Sequence, residues 1–510
     1  MTNKPNILLI TSDQHRGDCF GFEGRNVKTP HLDRMAREGM RFSNCITPNA
    51  VCQPSRASIL TGLLPCTHGV SDNGIDLETE QGELGFGRTL AKAGYRSGYV
   101  GKTHFSTHHT FQPTGTPECK YTIPTMPDDW MGPYMGFDHM ETMMLGHYAN
   151  GRPTPPPNSL HYERWLYADG RGHDKIKLWE THLPPDAGAP QTWNSALPVA
   201  WHHSTWVGNQ TVRYLEQHND EPFVMWASFP DPHTPFDCPE PWSRLHHPDE
   251  VEIPYHMDRD LDRRPWWHAK SLQGTPVMPD KELQKHRATY SRVTPPGEEK
   301  LRHTIANYYG MISLIDHNVG RILTALDEQG LSDNTLVVFT SDHGEWLGDH
   351  GLLLKGPMLY EGLLRVGCIV RGPGVAKDHV SDAPISTLDL AATFYDYAGL
   401  SAPTDIHSQS LRGMIEGHDQ ARDFAHSEWD LRPSRSGVEL HLRTVRTKSA
   451  KLTLEEISGV GEMYDLNNDP HEMDNRFGDP GSAALQKELT DMIRSRPDDT
   501  IPAKQPVGMA

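Results

Sequence analysis

Twice in this chain an apolar run ends in the same three residues. Ile7-Leu8-Leu9-Ile10 leads into Thr11-Ser12-Asp13-Gln14, and Leu336-Val337-Val338-Phe339 leads into Thr340-Ser341-Asp342-His343. Apolar runs without alternation suit strands covered on both faces, which is the condition of a parallel sheet. In an open parallel sheet, ligands bind outside the carboxyl ends of the strands. Two carboxylates delivered to that edge by different strands repel each other unless a cation sits between them. One aspartate after a strand would read as the cap of the next helix; the repetition favours a metal instead. Oxygen donors from Asp13, Gln14 and Asp342 suit Ca²⁺ or Mg²⁺, and His343 tilts the set toward Mn²⁺.

The rest of the chain extends that pattern. Leu90 to Gly94 reads as the end of a helix with a glycine stop, followed by a strand at Gly98-Tyr99-Val100; a helical stretch from Trp206 to Gln217 precedes a strand at Phe223 to Ala227. A helix is predicted from Thr304 to Leu326, with Met311, Leu314, Ile315 and Ile322 toward the sheet. Together these predict an α/β fold with a mostly parallel central sheet and helices on both faces. After about Gly417 the pattern changes to short strands and a final helix, a small antiparallel sheet with one helix. A length of 510 residues exceeds the usual reach of one core, about 250–300 residues. The division expected is a catalytic domain over 1–417 and a small C-terminal α+β domain with a tail over 418–510. Two excursions, about 110–200 and 238–297, are rich in Pro, Gly, Trp and His and read as lids or binding loops.

Composition excludes several classes. Sixty-seven acidic against 48 basic residues leave a net charge of −19, which argues against nucleic acid. An anionic substrate would need a locally basic pocket. No run approaches the roughly 18 apolar residues that span a bilayer. The apolar stretch near the N-terminus is too short for a signal peptide, and seven scattered cysteines are no disulfide framework, so the cytoplasm is the expected compartment. The tail from Arg494 to Ala510 is too polar to pack alone; docking on a neighbouring subunit, and so a homo-oligomer, is expected.

The strongest local signal is Cys52-Gln53-Pro54-Ser55-Arg56-Ala57-Ser58-Ile59-Leu60-Thr61-Gly62. Pro54 marks a helix start and Gly62 its stop, which puts Cys52 where helix amides favour an anion. On its own, a free cysteine is more often an inert buried thiol. The string Cys52-Gln53-Pro54-Ser55-Arg56 with Leu60-Thr61-Gly62 resembles the signature of the type I sulfatases, in the alkaline phosphatase superfamily. Gly101-Lys102-Thr103-His104, Ser341-Asp342-His343-Gly344 and Tyr464-Asp465-Leu466 follow in that family's order.

The resemblance implies an alkaline phosphatase-like fold and an oxidation of Cys52 to formylglycine by a maturation enzyme. The hydrated aldehyde is then the nucleophile toward a small anionic ester. It implies Asp13, Gln14, Asp342, His343 and the modified Cys52 around one divalent ion, Ca²⁺ or Mn²⁺. Gln14 departs from the commoner second aspartate and removes a negative charge from the site. Arg56 matches the residue that holds the hydrate, Lys102 and Lys355 the sulfate-binding lysines, His233 a histidine beside the leaving group, and His104 a base that collapses the hemiacetal. The expected function is sulfate ester hydrolysis, with aryl sulfates first. Alternatives are a phosphonate monoester hydrolase or phosphodiesterase, a choline or carbohydrate sulfatase, a non-catalytic binding protein, and a thiolate-liganded metalloenzyme. His108, His109 and the pair His202-His203 read as surface or pocket-wall residues, Asp349-His350 as support behind the site or loop structure, and the other six cysteines as core or incidental thiols.

Overall fold

A computed structural model describes residues 4–143, 154–290, 297–418 and 422–509. Residues 144–153 and 291–296, parts of the two excursions, lie outside the described residues. The central sheet is built from β1 (Asn6–Ser12), β2 (Met40–Ile46), β3 (Arg96–Lys102), β4 (His139–Met143), β5 (Phe223–Ser228), β6 (Thr335–Ser341), β7 (Arg365–Arg371), β8 (His379–Ser381) and β9 (Ile385–Ser386). Their order is β8-β2-β7-β6-β1-β5-β3-β4, with β9 also on β2. Only β7 runs against its neighbours.

Strand β1 shows why the sheet has two covered faces. All seven of its residues are buried, with Ile7 and Leu9 in one core and Leu8 and Ile10 in the other. The first core is closed by α2 (Cys52–Thr61), α3 (Phe86–Lys92) and α6 (Asp389–Tyr397), through residues such as Leu60, Leu90 and Phe394. The second is closed by α1 (Pro30–Glu38), α4 (His203–Gln217) and α5 (Glu298–Glu328), through Met35, Trp206 and Ile322. Each such aliphatic side chain contributes roughly 1.5–3 kcal/mol on burial. Helix α5 is longer than its sequence pattern predicts. Ile315 and Ile322 meet the sheet as expected, but Met311 belongs to a separate core with Phe236, Leu301 and Leu353. The first half of the helix carries the second excursion rather than the sheet.

Beyond the central sheet and its helices, β10 (Phe424–Leu431), β11 (Leu440–Thr447), β12 (Ala450–Glu455) and β13 (Gly461–Asp465) form an antiparallel sheet in chain order. Leu489 and Ile493 of α7 (Ala483–Arg494) pack on its Val445, Leu452 and Met463. The tail departs from expectation: it is laid along its own chain. Ile501 N–H donates to Cys66 O at 2.9 Å, Val507 N–H to Gly74 O at 2.8 Å, and Gly508–Met509 pairs with His109–Thr110. Backbone hydrogen bonds replace the apolar contacts its composition lacks. All seven cysteines are buried and free, and among the described residues no helix is long and apolar enough to cross a membrane.

Candidate active site

Strand register sets the site. Ser12 lies opposite Ser341 in the β1–β6 ladder, so Asp13 and Asp342 leave adjacent strands at the same level. On the other side of β1 come β5, which leads into the loop of His233, and β3, which ends at Lys102. Four neighbouring strands therefore deliver Asp342, Asp13, His233 and Lys102 to one edge of the sheet. Helix α2 points its first residue, Cys52, at that edge, and Gly62 ends the helix with a left-handed φ of 72°.

One ligand atom from each of Asp13, Cys52, Asp342 and His343 lies within 4.8 Å of the others. Two carboxylates that close repel by roughly 3–4 kcal/mol at an effective dielectric near 20. Arg56 offsets part of this: Nε donates to Asp342 Oδ2 at 2.9 Å, and Nη2 lies 3.6 Å from Asp13 Oδ2. The guanidinium is fully buried and fixed by Lys102 O and Ser228 Oγ, each at 2.8 Å. Lys102, also buried, pairs with Asp13 Oδ2. Lys355 Nζ sits 3.1 Å from Cys52 Sγ and 3.0 Å from His343 Nε2, and Sγ is 3.2 Å from His343 Nε2 and 3.7 Å from Asp13 Oδ1. His233 and Lys355 are half-buried, the least buried of these groups.

The charges act on one another. Burial pushes the Cys52 thiol up, but Lys102, Lys355, His343 and a hydrogen bond from His104 hold it well below the ordinary thiol range. Burial and Cys52 push Asp13 up, and Lys102, His233 and Lys355 outweigh them, so its carboxyl stays ionised. His104 is lowered to about 4 by burial and then by Lys102. His233 is also lowered, by burial first and then by Lys355. Its Nδ1 donates to Thr234 O at 2.7 Å, so Nε2 carries a proton only in the imidazolium.

The donor set fits a divalent ion. It joins two carboxylates, an imidazole and a side chain at position 52 around one point, and Gln14 Oε1 is buried without a hydrogen-bond partner beside them. Three permanent cations, Arg56, Lys102 and Lys355, make this a locally positive pocket in an acidic chain.

Further residues support the site, some of them without a local signal in the sequence. His202 and His203 are buried, not surface residues: His203 Nε2 lies 2.6 Å from Asp231 Oδ1, and Ser204 Oγ donates to Oδ2 at 2.5 Å. Asp231 O in turn accepts from Asp13 N at 2.9 Å, which ties the His233 loop to the metal edge. Asp349 holds Arg16 at 2.7 Å, and Arg16 also donates to Glu345 O and Trp346 O. Thr47 and Ser55 both donate to Asp342 O, at 2.5 and 2.6 Å. Glu118, in the first excursion, accepts from His104, Phe105 and Ser106 N–H and from Tyr134 Oη, at 2.6–3.1 Å, and so holds His104 at its left-handed φ of 53°. A glutamate inside a loop carries no local signal of such a role.

The pattern of the sulfatase family matches residues 5–400, and that of the C-terminal region of N-sulphoglucosamine sulphohydrolase matches residues 348–498. The arylsulfatase of Clostridium perfringens is 28% identical over 96% of this chain and 93% of its own. A multifunctional alkaline phosphatase superfamily protein of Trinickia caryophylli is 29% identical over 96% and 94%. The crystal structure of a phosphonate monoester hydrolase of Agrobacterium radiobacter aligns with a TM-score of 0.73, 25% identity and coverage of 96% and 95%.

Proposed function

The chain belongs to the sulfatase family, and on that premise we propose that it hydrolyses sulfate esters, aryl sulfates first, at the centre around Cys52. The observation that carries this reading is the setting of Cys52: first residue of a helix, 3.1 Å from Lys355 Nζ and 3.7 Å from Asp13 Oδ1. Conversion to formylglycine would supply a hydroxyl nucleophile there. A divalent ion held by Asp13, Gln14, Asp342, His343 and position 52 would supply Lewis acidity toward that hydroxyl and the sulfuryl oxygens.

The chain's own residues do the rest. Lys102 and Lys355 bind the sulfuryl oxygens and stabilise the charge that shifts onto them during displacement. Arg56 keeps Asp342 and Asp13 in place and holds the hydrated side chain at position 52. His104 is neutral at neutral pH and hydrogen-bonds to the side chain at position 52, so it is placed to take a proton from it. His233 protonates the leaving oxygen through Nε2; a bound anion between it and the lysines favours the imidazolium this requires.

The test is a panel on protein whose position-52 peptide shows the formylglycine mass. Nitrophenyl sulfate should be turned over faster than a phenyl phosphonate monoester, and Cys52→Ala should lose turnover by at least a thousandfold with an unchanged thermal midpoint. A large preference for the phosphonate would move the assignment to phosphonate monoester hydrolysis, the activity named for the Agrobacterium relative. Near-normal turnover by Cys52→Ala would remove Cys52 as the nucleophile.

A further inference from the structure

The proposed metal site contains a glutamine, and a glutamine has a problem that an aspartate lacks. A carboxylate offers oxygen whichever way it turns, whereas a primary amide offers oxygen on one arm and an NH₂ without a free lone pair on the other. An amide ligand therefore needs something that decides which arm faces the ion. In this chain that something is Glu345, fully buried and two residues beyond His343. Glu345 Oε2 accepts from Gln14 Nε2, which leaves Gln14 Oε1 as a buried acceptor with no donor. Glu345 Oε1 accepts from Leu347 N at 3.1 Å and from Leu354 N.

The three residues that bond to this carboxylate share a feature. Gln14, Leu347 and Leu354 have φ of 65°, 51° and 70°, the left-handed region that L-residues with a side chain rarely adopt. One carboxylate thus holds three unfavourable conformations, one at Gln14 and one immediately before Lys355. Tyr308 adds a support from below by donating to Gln14 O at 2.6 Å.

We propose that Glu345 is a positioning residue that turns Gln14 so its oxygen faces the ion and ties that ligand to the loop of Lys355. This rests on the reading of Gln14 as a metal ligand. In Glu345→Gln, an oxygen kept on the Leu347 and Leu354 amides leaves an NH₂ facing Gln14. Gln14 must then turn over to accept from it and present nitrogen to the ion. Exchanging the two residues, Gln14→Glu with Glu345→Gln, restores a donor facing an acceptor and leaves an oxygen for the metal.

The experiment is calorimetric titration of Mn²⁺ into metal-stripped, full-length protein, with the thermal midpoint of each stripped variant as the folding control. Glu345→Gln should raise the dissociation constant at least tenfold, and the exchanged pair should return it to within about threefold of wild type. Wild-type affinity in Glu345→Gln, or an exchanged pair as weak as the single variant, overturns the proposal. Should Glu345→Gln not fold, the exchanged pair alone decides, and weak binding by it overturns the proposal. Gln14→Ala separates the premise: unchanged affinity there removes Gln14 as a ligand and the proposal with it. A weakened Gln14→Ala beside a normal Glu345→Gln defeats only the role of Glu345.

Discussion

At the scale of single residues, the site depends on buried acids whose ionisation is set by burial against specific neighbours. Glu118 is the clearest case outside the metal centre. Burial raises its carboxyl from 4.5 to about 7, against hydrogen bonds that lower it. An acid whose folded pKa lies above its unfolded one contributes stability that is present below pH 4.5 and lost as the pH rises through 7. The shift corresponds to roughly 3 kcal/mol over that window. Glu118→Gln cannot ionise, so its stability relative to wild type should improve by about that amount between pH 4.5 and pH 8. Denaturant melts at the two pH values check this; a relative stability that does not change with pH would mean Glu118 is not perturbed. The same substitution removes one acceptor oxygen from the His104–Ser106 amides, so kcat should fall at every pH while the fold survives.

At the scale of elements, the parts that close the site come from distant pieces of chain. Helix α2 is aimed by its surroundings as well as by its own sequence: Gln53 N donates to Asn73 Oδ1 at 3.0 Å, and Gly74 N to Gln53 Oε1 at 2.5 Å. Residues 501–509 then strap the 66–74 turn to the 109–111 segment, with Phe111 N donating to Val507 O at 2.9 Å. Each such backbone bond contributes about 1 kcal/mol net. Truncation after Arg496 should lower the thermal midpoint by several degrees and make the segments at 66–78 and 105–120 the first sites of proteolysis. An unchanged midpoint and digestion pattern would show the strap to be decoration.

At the scale of the whole molecule, the proposed metal ligands come from the ends of strands β1 and β6 and from the first residue of helix α2, so an ion there would tie these elements together. A ligand at a hundred times its dissociation constant stabilises the folded state by about 2.7 kcal/mol. Thorough chelation should therefore lower the thermal midpoint by a few degrees as well as stop turnover, and a divalent ion should restore both. A midpoint indifferent to stripping and reloading would count against the four-residue centre, whatever happened to activity.

Local sequence determined the elements, and the resemblance to a family, taken position by position, pointed to the candidate reacting groups. Unalternated runs such as Ile7 to Ile10 can be satisfied only between two covered faces, and a repeated Thr-Ser-Asp at their ends places acids on one edge. The Cys52 to Gly62 string carries its own helix start, stop and chemistry. Tertiary structure alone decided which side chains face those groups. His202-His203 could not be told from surface histidines until Asp231 was brought against them, and Glu118 and Glu345 were two among 67 acids until the 104–106 amides met the one and the Gln14 side chain met the other. The physical reason is range: strand, helix and cap preferences act over a few neighbouring residues, whereas a buried charge is placed by partners up to hundreds of positions away.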